Sequence, residues 1–111
     1  MYKWEEEENI RIGKILREVR LTKKKFPVRK YKQKGSVSDS YVVEKFLSQR
    51  ELSAEIANFY AQDYDTYVGA KNKYHYIAAS TISKYENGTA SIPATYISLM
   101  KKIYGDFDIN P

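Results

Sequence analysis

Pro27, Gly35, the Asn87-Gly88 pair, Pro93 and Gly105 punctuate this chain, and between them apolar residues recur at helical spacing. That alternation of periodic stretch and breaker limits the fold more than any other feature. Residues 8–22 place Ile12, Ile15, Leu16 and Val19 on one side and Arg11, Lys14, Arg17 and Arg20 on the others, the pattern of an amphipathic helix with a basic outer surface. Residues 23–35 break it, because Pro27 inside a helix forfeits a hydrogen bond; a loop, an arm or an irregular hairpin is expected there. Ser38 and Asp39 offer N-cap groups for a second helical stretch with Tyr41, Val42, Val43, Phe46 and Leu47.

Ser48-Gln-Arg-Glu51 reads as a capping box, so a helix is expected to start at Ser48 and to bury Leu52, Ile56 and Phe59. The pattern leaves open whether residues 39–47 form a separate helix or run into this one. Residues 61–77 carry Tyr64, Tyr67, Tyr74 and Tyr76 around Gly69 and Asn72, which fits a short β-hairpin or an ordered tyrosine-rich loop. Helix returns at 78–87 and is stopped by Asn87-Gly88. Ile92-Pro93 opens a last helix with Tyr96, Ile97, Met100, Ile103 and Tyr104, closed by Gly105. The expectation is an all-α, mostly helical fold of five helices in a single domain, 1–111, with 1–8 as a flexible acidic segment.

At 111 residues there is room for one modest core. Without cysteine there is no disulfide framework or thiolate metal site, and His75 is the sole histidine, so no metal or other cofactor is expected. No histidine–carboxylate or histidine–serine pair can be assembled beyond His75, and no glycine-rich phosphate loop is present, so nothing argues for catalysis. No apolar run approaches a membrane span, and a cytoplasmic protein is expected. The net charge of +5 is unevenly spread. Glu5 to Glu8 form an acidic block, whereas eleven Lys or Arg face one acid, Glu18, between Arg11 and Lys34. Such clustering suits a polyanion, most commonly nucleic acid. Lys23, Lys24, Lys25, Arg29, Lys30, Lys32 and Lys34 are therefore candidate phosphate contacts.

The stretch STISKYENGT (80–89) fits a recognition helix. Ala78, Ala79, Ser80, Thr81, Ser83 and Lys84 make a slender polar front that could reach base edges, Ile82 and Tyr85 make an apolar rear, and Asn87-Gly88 makes the stop. With IGKILREVR (12–20), LSQREL (47–52) and IPATYISLMKKIYG (92–105), in that order along the chain, TISKYENG resembles the Cro and phage-repressor superfamily of helix-turn-helix regulators, often called the XRE family. The resemblance implies that Ala79, Ser80, Ser83 and Lys84 face base edges, that Gln49 and Asn87 contact phosphates, and that Gln49 also braces the recognition helix. It also implies an ion pair between Arg20 and Glu86. Leu21 to Phe46 and Asn58 to Ile77 are insertions relative to the family's pattern. No Arg or Gln stands on the front of 78–87 for a bidentate base contact, so sequence reading by this helix alone is modest.

The sequence thus points to a sequence-specific regulator of double-stranded DNA, a repressor of phage, plasmid or mobile-element type by resemblance. Such modules act as two-fold dimers, and Tyr96, Met100, Ile103, Tyr104, Phe107 and Ile109 are the candidate homodimer surface. The alternative keeps the fold but turns the tyrosine-rich insertion toward a protein partner, as in an antitoxin or an inhibitor of a host defence nuclease.

Overall fold

The structure, a computed structural model, describes residues 3–31, 40–63 and 76–110. In chain order the elements are α1 (Lys3–Thr22), β1 (Phe26–Tyr31), β2 (Ser40–Lys45), α2 (Gln49–Asp63), α3 (Ala79–Asn87) and α4 (Ala94–Tyr104). β1 and β2 form a two-stranded antiparallel sheet, with Val28 opposite Val43 and Arg29 opposite Val42.

This overturns the all-α, five-helix expectation. Among the described residues there are four helices and a hairpin, a small mixed α/β domain. The stretch expected as a second helix is strand β2. The Val42-Val43 pair is stiff at χ1 and suits a pleated surface better than a helix, and β1 supplies the partner strand it needs. Pro27 fits because proline is tolerated near the start of an edge strand. The hairpin expected at 61–77 falls largely on residues 64–75, outside the described residues. The acidic block Glu5–Glu8, set aside as flexible in the sequence reading, belongs to α1.

The core gathers Leu16 and Val19 of α1, Leu52 and Ile56 of α2, Ile82 of α3 and Tyr96, Leu99, Met100, Ile103 and Tyr104 of α4, with Phe26 from β1 and Leu47 between β2 and α2. Each helix contributes the stripe that its apolar period marks. Gly13 lets α1 approach α3 closely: a Cβ there would lie 2.8 Å from the Glu86 carbonyl oxygen and nearer still to that of Tyr85.

The hairpin is tied down at its base. Phe26 packs edge-on against Tyr104, ring centroids 5.4 Å apart, and Lys25 lies over the Phe46 ring at 5.3 Å. Glu51, in the first turn of α2, takes both Lys45 Nζ at 2.8 Å and Lys30 Nζ at 3.7 Å. After α4 the chain returns along α1, where Arg11 Nη1 donates to the Ile109 carbonyl at 2.5 Å.

Candidate nucleic-acid interface

α2 begins where the capping box places it. The Glu51 N–H donates to Ser48 Oγ at 3.1 Å, and the Ser48 N–H donates to Glu51 Oε1 at 2.9 Å. Burial pushes the Glu51 carboxyl upward, but hydrogen bonds from Lys45 and from the Ser48 backbone outweigh it and bring the pKa down to about 2. One carboxylate therefore caps α2 and anchors the hairpin.

α3 ends in a Schellman motif. Gly88 takes the left-handed conformation at φ 72°, its N–H donates to the Tyr85 carbonyl at 3.2 Å, and the Thr89 N–H donates to the Lys84 carbonyl at 3.0 Å. The residues ahead of α3 are held by Ser53 Oγ of α2, which donates to the Ile77 carbonyl at 2.5 Å. The two segments thus lie side by side although residues 64–75 separate them in sequence.

Ile82 and Glu86 turn inward from α3, and Tyr85 stacks at a tilt on Tyr96, 4.6 Å between centroids. Arg20 Nε and Nη2 donate to the two Glu86 oxygens at 2.8 Å each, and Arg20 Nη1 donates to the Leu47 carbonyl at 3.0 Å. Gln49 Nε2 completes the network at 3.1 Å from Glu86 Oε1. Only 8% of the Arg20 side chain and 2% of the Glu86 side chain remain exposed. The Glu86 carboxylate raises the Arg20 pKa further, so the cation is held firmly charged. Arg20 and Glu86, the pair implied by the family resemblance, thereby join α1, α3 and the start of α2 at one point. Gln49, expected both to touch a phosphate and to brace α3, makes the bracing contact through Nε2.

On the other side of α3, Ser80, Lys84 and Asn87 are exposed, and Ala79 and Ser83 are half-buried beside them, toward the Glu86 face. Asn87 Nδ2 donates to Ser83 Oγ at 3.3 Å. Helical spacing gathers Ser80, Ser83, Lys84 and Asn87 into one ridge, with Ala79 at its inner margin. Of the front read from the sequence, Ser80 and Lys84 are exposed and Ala78, Ala79, Thr81 and Ser83 are half-buried; of the rear, Ile82 is buried and Tyr85 half-buried.

The basic segment lies elsewhere. Lys23, Lys24 and Lys25 are exposed in the turn after α1, with Lys24 Nζ 5.0 Å from the centre of the Phe26 ring. Arg29 is exposed and donates to Ser40 Oγ at 2.8 Å, while Lys30 reaches Glu51. Lys32 and Lys34 are outside the described residues, as are His75 and Tyr64, Tyr67 and Tyr74. The described cations Lys23, Lys24, Lys25, Arg29 and Lys30 belong to the hairpin and its approach, not to α3.

The candidate dimer surface needs correction. Tyr96, Met100, Ile103 and Tyr104 are each less than 8% exposed and fill the core, and Phe107 packs against that core with Lys101 above its ring. Their spacing is that of an inward stripe, which periodicity alone does not distinguish from an interface stripe. Burial pushes the Tyr96 and Tyr104 hydroxyls well above the usual phenol range.

Sequence reasoning missed two residues that build the site. Gly13 sets the α1–α3 distance, and its signal was a glycine inside an otherwise regular amphipathic helix. Glu51 was read as a cap only; its grip on Lys30 and Lys45 depends on a hairpin that the helical reading of 39–47 did not contain. Among the described residues no helix is long and apolar enough to cross a membrane, and no cluster of metal-ligating side chains occurs. No family model, curated protein or solved structure matches the chain.

Proposed function

We propose that this chain binds double-stranded DNA as a helix-turn-helix regulator, with α3 entering the major groove and α2 braced across its rear. The observation that carries the reading is the division of α3. Ile82 is fully buried and Glu86 is locked to Arg20 and Gln49, while Ser80 and Lys84 stand free on the opposite ridge. A recognition helix needs both conditions: a rear fixed at a set angle, and a front slim enough to reach base edges. The net charge of +5 and the exposed Lys23, Lys24, Lys25 and Arg29 supply the phosphate-seeking field.

The ridge offers two hydroxyls, one ammonium and the Asn87 amide, but no guanidinium for a bidentate guanine contact. Most base contacts it makes are therefore single, and affinity rests on the phosphates. Selection of bound duplexes from a random pool tests the reading. Recovery of a common motif supports it, whereas enrichment of unpaired strands, or no enrichment at all, counts against it.

A further inference from the structure

We propose that the outward face of the hairpin, centred on Arg29, enters the minor groove of A·T-rich DNA beside the major groove that receives α3. The contact presupposes the DNA reading and adds to it a reader of groove shape. Residues directly opposite in an antiparallel pair share a face. Phe26, Val28 and Lys30 therefore lie with Tyr41, Val43 and Lys45 on one side, and Pro27 and Arg29 with Val42 and Glu44 on the other. The first side lies against the body: Phe26 is buried, Val28 packs on the core, and Glu51 takes both Lys30 and Lys45. Among the described strand residues, that leaves Arg29 as the cation of the outward side.

The make-up of that side selects the groove. A phosphate contact asks only for charge, yet beside Arg29 stand Val42, 55% exposed, and the exposed Pro27. A cation flanked by apolar side chains is what minor-groove proteins present, the cation reading the groove and the apolar groups pressing against its bases. Ser40 Oγ accepts from Arg29 Nη1 at 2.8 Å and braces the guanidinium on the strand. Nε and Nη2 are left to reach the N3 and O2 acceptors that A·T pairs show in the minor groove. The narrow groove of A·T tracts also carries the strongest negative potential for an arginine to enter. Glu44, the acid on this side, sits opposite Pro27 and next to buried Phe26, so it confines the contact to the outer half of the hairpin.

The hairpin's position suits this role. Glu51 ties it to the first turn of α2, and Gln49 in the same turn bonds Glu86 of α3. On DNA the hairpin would thus flank the groove that α3 fills. Half a turn of duplex, about 17 Å, separates that groove from the next minor groove. A strand of six residues spans about 20 Å, enough to cover the distance. Because the ridge of α3 carries no guanidinium, a hairpin arginine supplies discrimination that the ridge lacks.

The test uses base pairs that alter one groove at a time. Inosine·cytosine shows the major groove of G·C but, lacking the N2 amino group, the minor groove of A·T. The duplex recovered from the random pool is made with A·T, G·C or inosine·cytosine flanks, and affinities for the full chain are read by fluorescence anisotropy. Wild type should bind the A·T and inosine·cytosine flanks about fivefold more tightly than the G·C flank. Arg29→Lys keeps the charge and the salt slope but should erase that preference, because an ammonium is more strongly hydrated and lacks the planar fork. Its thermal unfolding midpoint should hold, since Arg29 is exposed. Equal affinity for the three flanks overturns the minor-groove contact. So does inosine·cytosine ranking with G·C, or a preference that survives in Arg29→Lys. Flank-blind binding that Lys84→Ala still re-ranks removes this contact alone, whereas a selection that returns no duplex removes the DNA reading and this contact with it.

Discussion

Arg20 and Glu86 stand 66 residues apart in sequence and meet edge to edge, two hydrogen bonds of 2.8 Å holding the guanidinium flat against the carboxylate. The pair sits where α1, α3 and the approach to α2 converge, so it sets the angle at which α3 presents its ridge. Desolvation consumes much of the attraction in so buried a pair, and its contribution is orientation more than net stability. Glu86→Leu would leave the Arg20 charge buried and uncompensated, at a loss of about 3–5 kcal/mol. Arg20→Met combined with Glu86→Leu should lose far less than the two single losses summed. Urea unfolding of the three variants checks this; strict additivity would show that the pair is uncoupled.

Gly13→Ala should destabilise the protein even though alanine is the better helix former by about 0.5–1 kcal/mol. The new Cβ would sit 2.8 Å from the Glu86 carbonyl oxygen, and the obstruction is backbone that cannot rotate away. α1 must then draw back from α3, at a net loss of about 1–3 kcal/mol. Thermal or urea unfolding reads the sign directly, and a stabilised variant would refute the close approach.

Glu51 gives the hairpin's attachment a pH signature. Its pKa falls from an ordinary value of 4.5 to about 2 on folding, so the folded chain holds its proton less readily than the unfolded one. The stabilisation is present above pH about 4.5 and fades as pH falls toward about 2. Glu51→Gln should lower stability at neutral pH and remove this part of the acid dependence, so the two curves converge near pH 2. A constant gap down to that pH would place the role of Glu51 elsewhere.

The parts of this fold legible in the sequence are those written by local physics. Ser48 and Glu51 mark the start of α2 by capping chemistry, and Gly88 marks the end of α3 because a Schellman turn needs positive φ. Strand β2 was illegible for the opposite reason. Tyr41, Val42 and Val43 become a strand only because β1 lies beside them, and pairing between distant segments leaves no local periodic mark. The burial of α4 was hidden differently: Tyr96, Met100, Ile103 and Tyr104 form one apolar stripe, and a stripe does not say whether its cover comes from the same chain or another. The exposure of Ser80 and Lys84 on α3 was legible because it follows from Ile82 having to face inward.

Lys84 and Lys24 separate the two kinds of DNA contact on which the proposed function depends. Lys84 stands on the ridge of α3, whereas Lys24 projects from the turn ahead of the hairpin. If the ridge lies in the groove, Lys84→Ala should change the ranking of duplex sequences, with shifts of about 1 kcal/mol at the position it reads. Lys24→Ala should weaken all sequences alike and flatten the plot of log affinity against log salt by about 0.9, the contribution of one phosphate contact. Fluorescence anisotropy over a salt series with two unrelated duplexes measures both. Equal, sequence-blind losses in the two variants would remove base reading from α3 and leave an electrostatic binder. An affinity that ignores salt would remove the phosphate contacts as well, because the exposed cations could then contribute nothing to binding.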